Sequence, residues 1–125
     1  MIQFITDPLL RRAERGQFTL GEHMAAIVDG AAHIVPQGFT TDGASIPAVC
    51  WLLVGHPYSP SSLRAAILHD WMCRDHTHGL TSARVHRVFY DALRAEGVAW
   101  ARARLMYAAV ALFGPTWTTL PKVSA

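Results

Sequence analysis

The sequence predicts an α+β fold in which a small N-terminal antiparallel β meander, or a set of hairpins, packs on three α-helices. The first observation is that short apolar runs alternate with turn residues over residues 1–47, as is typical of strands. The second is that apolar residues recur at helical spacing over residues 48–114, and 115–125 is predicted to be a peripheral tail. With 125 residues, 51% of them hydrophobic, the chain suits one core and hence a single domain over 1–125.

Strands are predicted where short apolar runs end at turn residues. Residues 17–20 form one candidate strand. Asp29-Gly30 is a strong signal for a tight turn, so we expect a hairpin over residues 23–35. The segment 37–47 is rich in glycine, proline and hydroxyl side chains, which predicts a shaped loop rather than a strand.

Three longer helices follow a short helical piece after Pro47. Gly114-Pro115 ends the last of them. His76 and His78 come at the end of the first, where a helix C-terminus favours cationic side chains, and this position indicates a structural rather than a catalytic role. The helices are predicted from the capping sequence near 59 to about 74, from the N-cap Thr81 to 97, and over 98–113.

Bulk properties exclude several classes of protein. The net charge is only +2 and no long basic block occurs, which argues against nucleic acid as a partner. The most apolar stretch, 105–113, is shorter than the roughly 20 residues that cross a bilayer, so we expect no membrane span. The N-terminus does not read as a secretion signal. Cys50 and Cys73 have no CxxC spacing, which favours a reducing compartment.

A polar pair inside the apolar run 63–73 marks the first candidate site. His69 and Asp70 are adjacent in this predicted helix, and burying an imidazole and a carboxylate is costly unless each finds a partner. Cys73 follows His69 at the i, i+4 spacing that lets two side chains reach one ion, and both residue types bind zinc. His86 lies at the edge of the apolar stripe of the next helix, from where it could reach toward His69.

A second polar fragment, over residues 40–47, contributes Asp42 in a loop. Asp42, His69 and His86 form a candidate ligand set for a divalent metal such as zinc, with Asp70 as a candidate catalytic base or supporting carboxylate. The sequence leaves a structural alternative open. In that alternative His69 forms a hydrogen bond with Asp42 or with a backbone carbonyl, and Cys73 is a small core residue.

Three motifs together resemble a known family. They are Gly38-Phe39-Thr40-Thr41-Asp42-Gly43-Ala44-Ser45-Ile46-Pro47, the run Ala65-Ala66-Ile67-Leu68-His69-Asp70-Trp71, and Arg84 with Arg87-Val88-Phe89 and Ala92-Leu93. The chain is similar, from the predicted hairpin through the third helix, to family thirteen-fifty-three of the domains of unknown function, found chiefly in bacteriophages and prophages. The resemblance implies a phage-encoded protein, often found among tail and lysis genes. Family members usually carry aspartate at the position of His86, and an aromatic residue near Cys73.

Two functions follow as expectations. The first is a virion component of the tail or baseplate region that binds other phage structural proteins, located in the virion or in the host cytoplasm during assembly. The predicted third helix is apolar nearly all round, so Trp100 or Tyr107 is expected to anchor a partner. The alternative is a small metal-dependent hydrolase, with peptidoglycan as a candidate substrate and its site at Asp42, His69, Asp70 and His86.

Overall fold

The structure is a computed structural model that describes residues 2–5, 10–12, 18–41 and 63–117. Its strands are β1 (Ile2–Phe4), β2 (Leu10–Arg12), β3 (Phe18–Leu20), β4 (Met24–Val28), β5 (Ala31–Val35) and β6 (Thr40–Thr41). Its helices are α1 (Leu63–Arg74), α2 (Ser82–Ala95) and α3 (Trp100–Phe113), with a 3-10 helix at His76–His78 between α1 and α2. The predicted α+β fold is confirmed, because a three-stranded antiparallel sheet packs against the helices.

The hairpin predicted over residues 23–35 is confirmed as β4 and β5, which pair antiparallel. Asp29 and Gly30 form its turn with φ angles of 50° and 84°, the left-handed conformations that a two-residue hairpin turn of this kind uses. β1 pairs with the other edge of β4, so the strand order of this sheet is β1-β4-β5. The side chains of β4 alternate in burial, and those facing the core are Met24, Ala26 and Val28.

A second three-stranded sheet has the order β2-β3-β6. The sequence predicted a loop over 37–47, whereas Thr40–Thr41 forms a short strand that pairs with β3. The hydroxyls of Thr19 and Thr40 lie 3.1 Å apart across this pair, and Leu20 both donates to the Phe39 carbonyl and accepts from the Gly38 amide. β-branched threonine suits a strand, but the pairing depends on the approach of β3, which is distant in sequence.

The helices differ in how much of their surface is covered. In α1 the eight residues from Ala65 to Met72 are all buried, because α1 lies between α2 and the strands β5 and β6. α2 begins at the predicted N-cap, where the Thr81 hydroxyl accepts a hydrogen bond from the Arg84 amide at 3.3 Å. α3 packs against α2. Within the described ranges, no helix is long and apolar enough to cross a bilayer.

Residues 115–117, the start of the predicted peripheral tail, pack back onto α2. The Trp117 amide donates to the Ser82 hydroxyl at 2.9 Å, and the Trp117 indole donates to the Leu80 carbonyl at 2.8 Å. The Ser82 amide in turn donates to the Trp117 carbonyl at 3.1 Å. These bonds satisfy polar groups near the first turn of α2, where backbone amides have no partner within the helix, and they hold the chain beside the candidate site.

Candidate functional site

Two histidines meet in the core where α1 crosses α2. His69 on α1 is 1% exposed and His86 on α2 is 3% exposed. The His69 Nε2 atom lies 2.9 Å from the His86 Nδ1 atom, and the His69 ring packs on Phe89 with ring centroids 4.6 Å apart. The expectation that His86 reaches inward to His69 agrees with this distance.

The positions of the protons on the two imidazoles can be inferred from the second hydrogen bond of His86. Its Nε2 atom lies 3.0 Å from the Pro115 carbonyl oxygen, which can only accept, so Nε2 carries a proton. In neutral His86 the Nδ1 atom is then an acceptor, and His69 Nε2 donates to it. We infer a chain of two hydrogen bonds that runs from His69 through His86 to the backbone after α3.

Cys73 brings a sulfur to the same place. Its Sγ atom lies 3.5 Å from His69 Nε2. One ligand atom from each of His69, Cys73 and His86 can be chosen so that all three lie within 4.8 Å of one another. Such convergence of two imidazoles and a thiol is the donor chemistry of zinc sites.

Burial keeps all three groups uncharged at neutral pH. Loss of solvent, with a smaller contribution from His86, lowers the pKa of His69 from 6.5 to about 3. Burial also lowers the pKa of His86, opposed by its hydrogen bond to Pro115. Burial and then the Asp70 carboxylate raise the pKa of the Cys73 thiol from 9.0 to about 12, opposed by Arg74. Neutral imidazole is the form that binds metal, and the thiol must release its proton when it ligates.

Two of the three ligand separations are close to those around a tetrahedral ion. Zinc lies about 2.0–2.1 Å from imidazole nitrogen and about 2.3 Å from thiolate sulfur, so ligand atoms are about 3.3 Å apart for two nitrogens and about 3.6 Å for nitrogen and sulfur. The corresponding separations here are 2.9 Å between His69 and His86 and 3.5 Å between His69 and Cys73. His69 would change tautomer, because its Nε2 proton must leave. The bond from His86 to Pro115 is the carbonyl contact that commonly orients a ligating histidine.

Asp70, the predicted catalytic carboxylate, is 4% exposed and pairs with Arg74, with 3.3 Å between Oδ2 and the guanidinium. Arg74 also donates to the Thr40 carbonyl at 2.7 Å, and its guanidinium lies 5.3 Å from the centre of the Phe39 ring. These contacts give Asp70 a structural task, since it positions the arginine that joins the end of α1 to β6. Asp42, the predicted third ligand, lies outside the described residues.

The turn after α3 forms one wall of the site. A Cβ atom at Gly114 would lie 3.3 Å from His86 Cε1 and would also collide with the Val110 carbonyl oxygen, so only glycine fits here without a shift. The sequence interpretation gave Gly114 and Pro115 no role beyond ending α3. No local signal indicates that this helix end meets His86, because the contact joins residues 29 positions apart in the chain.

The two histidines after α1 have other partners. His76 Nε2 lies 2.8 Å from the Cys73 carbonyl and His78 Nε2 lies 2.7 Å from the Met72 carbonyl. His78 Nδ1 also accepts from the Leu80 amide at 2.9 Å. Both side chains therefore satisfy carbonyls at the C-terminus of α1, in agreement with the structural role expected from their position.

The two predicted interface residues lie on α3 in different settings. Trp100 is 60% exposed, with the Arg104 guanidinium 5.7 Å from its ring centre. Tyr107 is half-buried and its ring centroid lies 6.0 Å from that of Tyr90. Trp100 thus remains accessible to a partner, while Tyr107 contributes mainly to the contact between α2 and α3.

Comparison with known proteins places the chain in a family. Residues 19–110 match the family described as "Protein of unknown function (DUF1353)". The chain is similar to two uncharacterized proteins of Sinorhizobium fredii (strain NBRC 101917 / NGR234). It is 44% identical to y4jT over 89 residues, covering 71% of this chain and 26% of y4jT. It is 46% identical to y4iH over 77 residues, covering 62% of this chain and 31% of y4iH.

The chain therefore spans between a quarter and a third of the length of these two relatives. No solved structure matches the chain. The family match covers β4, β5 and both helices that carry His69, Cys73 and His86. On the extent of this match, the chain belongs to the DUF1353 family of proteins of unknown function.

Proposed function

We propose that this domain binds a divalent metal ion such as zinc between α1 and α2, with His69 Nε2, His86 Nδ1 and Cys73 Sγ as ligands. The observation that carries the proposal is that one ligand atom from each of these three residues can be chosen so that all three lie within 4.8 Å of one another. The first sequence-based ligand set was Asp42, His69 and His86. The proposal adds Cys73 and leaves Asp42 as a candidate for the fourth position.

The electrostatics of the site is compatible with an ion. Burial holds both imidazoles in the neutral form that binds metal, and His69 then has only to move its proton from Nε2 to Nδ1. His86 is already oriented by the Pro115 carbonyl, which reduces the ordering that binding requires. A donor set of two nitrogens and one sulfur favours zinc over magnesium or calcium, which prefer oxygen.

The ion would cross-link elements distant in the chain. His69 and Cys73 lie one turn apart on α1, and His86 lies on α2 against the segment that follows α3. Because a preformed site is absent from an unfolded chain, binding energy adds to folding stability. The proposed function is therefore metal binding that stabilises this helical layer.

The test is metal analysis of the full chain purified without an affinity tag that binds metal. We expect one zinc-like ion per chain and a lower melting temperature after chelation. Cobalt substitution should give a thiolate-to-cobalt charge-transfer band that Cys73→Ala removes. His86→Ala should abolish the effect of the chelator, whereas the exposed control His23→Ala should keep it. Substoichiometric metal together with no effect of the chelator would refute the proposal.

A catalytic use of the same ion is the second proposal. Among the described residues three ligands converge, and three protein ligands with one open position are typical of catalytic zinc. Cys73 is only partly buried, so access to the ion is expected from its side. Metal-loaded protein is tested for hydrolysis of peptidoglycan. Activity that disappears on chelation, and in Asp70→Asn with the melting temperature unchanged, supports a small metal-dependent hydrolase. Metal-loaded protein without activity would leave a structural ion.

Association is the third proposal, in line with the phage setting that the family resemblance implies. The observation that favours it is the set of large apolar side chains exposed on α3, namely Trp100, Leu105, Leu112 and Phe113. A phage tail or baseplate component would be recovered in purified particles, and in host cytoplasm only during assembly. Mass spectrometry of purified particles tests this proposal. Absence of the protein from the particles would exclude a role as a virion component.

A further inference from the structure

The outward surface of α3 carries an apolar stripe of Ala101, Leu105, Ala108 and Leu112, here named the outer stripe. All four residues are exposed, with Leu105 at 51% and Leu112 at 75%. Their spacings of four, three and four residues place them within one narrow sector of the helix. The residues that face the core are on the opposite side, at Ala103, Met106, Ala109 and Val110.

An exposed stripe of this kind is unusual on the outer face of an amphipathic helix. That face normally carries charged residues, whereas the charged residues of α3 are only Arg102 and Arg104. Contiguous apolar surface on a folded domain marks a site of association. The identity of the partner is indicated by two features of the stripe itself.

The first feature is the order of large and small side chains along the outer stripe. The outer stripe is symmetric about the midpoint between residues 106 and 107, so that Leu105 corresponds to Ala108 and Ala101 corresponds to Leu112. In an antiparallel pair of α3 helices whose two-fold axis passes through this midpoint, every leucine faces an alanine of the other copy. A large residue against a small one lets two helices interdigitate, whereas a parallel pair would oppose leucine to leucine and alanine to alanine.

The second feature is charge. Arg102 and Arg104 lie in the first half of α3, and its last turn has no basic residue. A helix carries partial positive charge at its N-terminus and partial negative charge at its C-terminus. An antiparallel pair places the arginines of each copy toward the electronegative end of the other helix. A parallel pair would gather four guanidinium groups and two positive helix ends at one place, which is repulsive.

From these features we infer that the protein forms a two-fold dimer in which the outer stripe of α3 packs antiparallel against the same stripe of a second copy. Leu105 lies next to the two-fold axis, Leu112 lies at the end of the stripe against Ala101 of the other copy, and Trp100 lies just outside the stripe. The inference does not depend on metal binding. It commits the association proposed above to a second copy of this chain, and it holds or fails whether or not the protein occurs in phage particles.

Sedimentation of the full chain tests the dimer. We expect a dimer that Leu112→Lys converts to a monomer while the far-ultraviolet circular dichroism stays unchanged, because Leu112 is exposed in the single chain. The control is Ile34→Lys, which places the same charge at a side chain 54% exposed on β5 and should leave the dimer intact. A monomeric wild type, or a dimer that survives Leu112→Lys, would overturn the inference.

Disulfide cross-linking tests the orientation. The double variant Ala101→Cys with Leu112→Cys should form a covalent dimer under mild oxidation, because these positions face each other in the antiparallel pair. Ala101→Cys alone should give no more cross-linked dimer than wild type, which carries Cys50 and Cys73. Efficient cross-linking by the single variant would indicate a parallel pair and contradict the arrangement.

Discussion

Helices α1 and α3 are both apolar in sequence, yet the structure uses them in opposite ways. α1 is covered on two sides and buries even His69 and Asp70. α3 is covered by α2 and leaves Leu105 and Leu112 in water. Apolar composition alone therefore does not decide which residues of a helix are buried. In α1 the informative residues are the polar ones that the core accepts, and in α3 they are the apolar ones that it leaves outside.

Among substitutions that remove a side chain, the largest effect should come from breaking the hydrogen bonds of the polar pair on α1 and α2. His86→Ala removes the acceptor for His69 Nε2 and the donor for the Pro115 carbonyl, leaving the buried His69 imidazole and this carbonyl without those partners. We expect a loss of about 3 kcal/mol in the free energy of unfolding, measured by urea denaturation. The exposed control His23→Ala loses one solvent-accessible hydrogen bond from the Gln37 amide and should change it by about 1 kcal/mol or less. A loss under about 1 kcal/mol for His86→Ala would show that the pair contributes little.

A smaller effect is expected at the helix end that positions His86. In Gly114→Ala the new methyl group meets the Val110 carbonyl and the His86 ring, so stability should fall by about 1–3 kcal/mol and bound metal should decrease. Gly79→Ala is the matched control, since Gly79 has a φ of 78° and open space around it. It should cost stability through backbone strain but leave the metal content unchanged. Equal loss of metal in both variants would contradict the role of Gly114 in positioning His86.

The stability of the metal-free protein should depend on pH through the buried His69 of α1. The pKa of His69 falls from 6.5 to about 3 on folding, because of burial first and His86 second. Between these values the unfolded chain binds more protons than the folded one. Stability is therefore full above pH 6.5 and is lost as the pH falls toward 3. Chelated protein should show this loss in denaturation experiments, and His69→Gln should weaken it; an unchanged slope in His69→Gln would contradict the assignment.

The smallest effect on the single chain is expected on the outer face of α3. Leu112→Lys, examined at concentrations where the chain is monomeric, should change the free energy of unfolding by less than about 0.5 kcal/mol. Met106→Lys places the same charge on the buried side of the same helix, where Met106 is 0% exposed, and should prevent stable folding. Similar losses in the two variants would show that the outer face is covered within one chain.

Much of the layout was predictable from local sequence signals. The Asp29-Gly30 turn and the Thr81 cap depend on residues adjacent in the chain, so their chemistry is visible in the sequence. The candidate ligands His69 and Cys73 were predictable for the same reason, since one helical turn separates them. The strand orders β1-β4-β5 and β2-β3-β6 were not predictable from the sequence, because pairing between distant strands leaves no short-range pattern.

Local sequence patterns specify the three long helices and the hairpin, and they place a histidine and a carboxylate in an apolar helix. Which partners those polar groups have depends on packing between elements that are distant in the chain. His86 and Pro115 reach His69 because α1, α2 and the end of α3 converge. Likewise, only the packing of α3 on α2 decided which of its apolar residues remain exposed. Periodicity specifies the faces of a helix, whereas the arrangement of neighbouring elements specifies what covers each face.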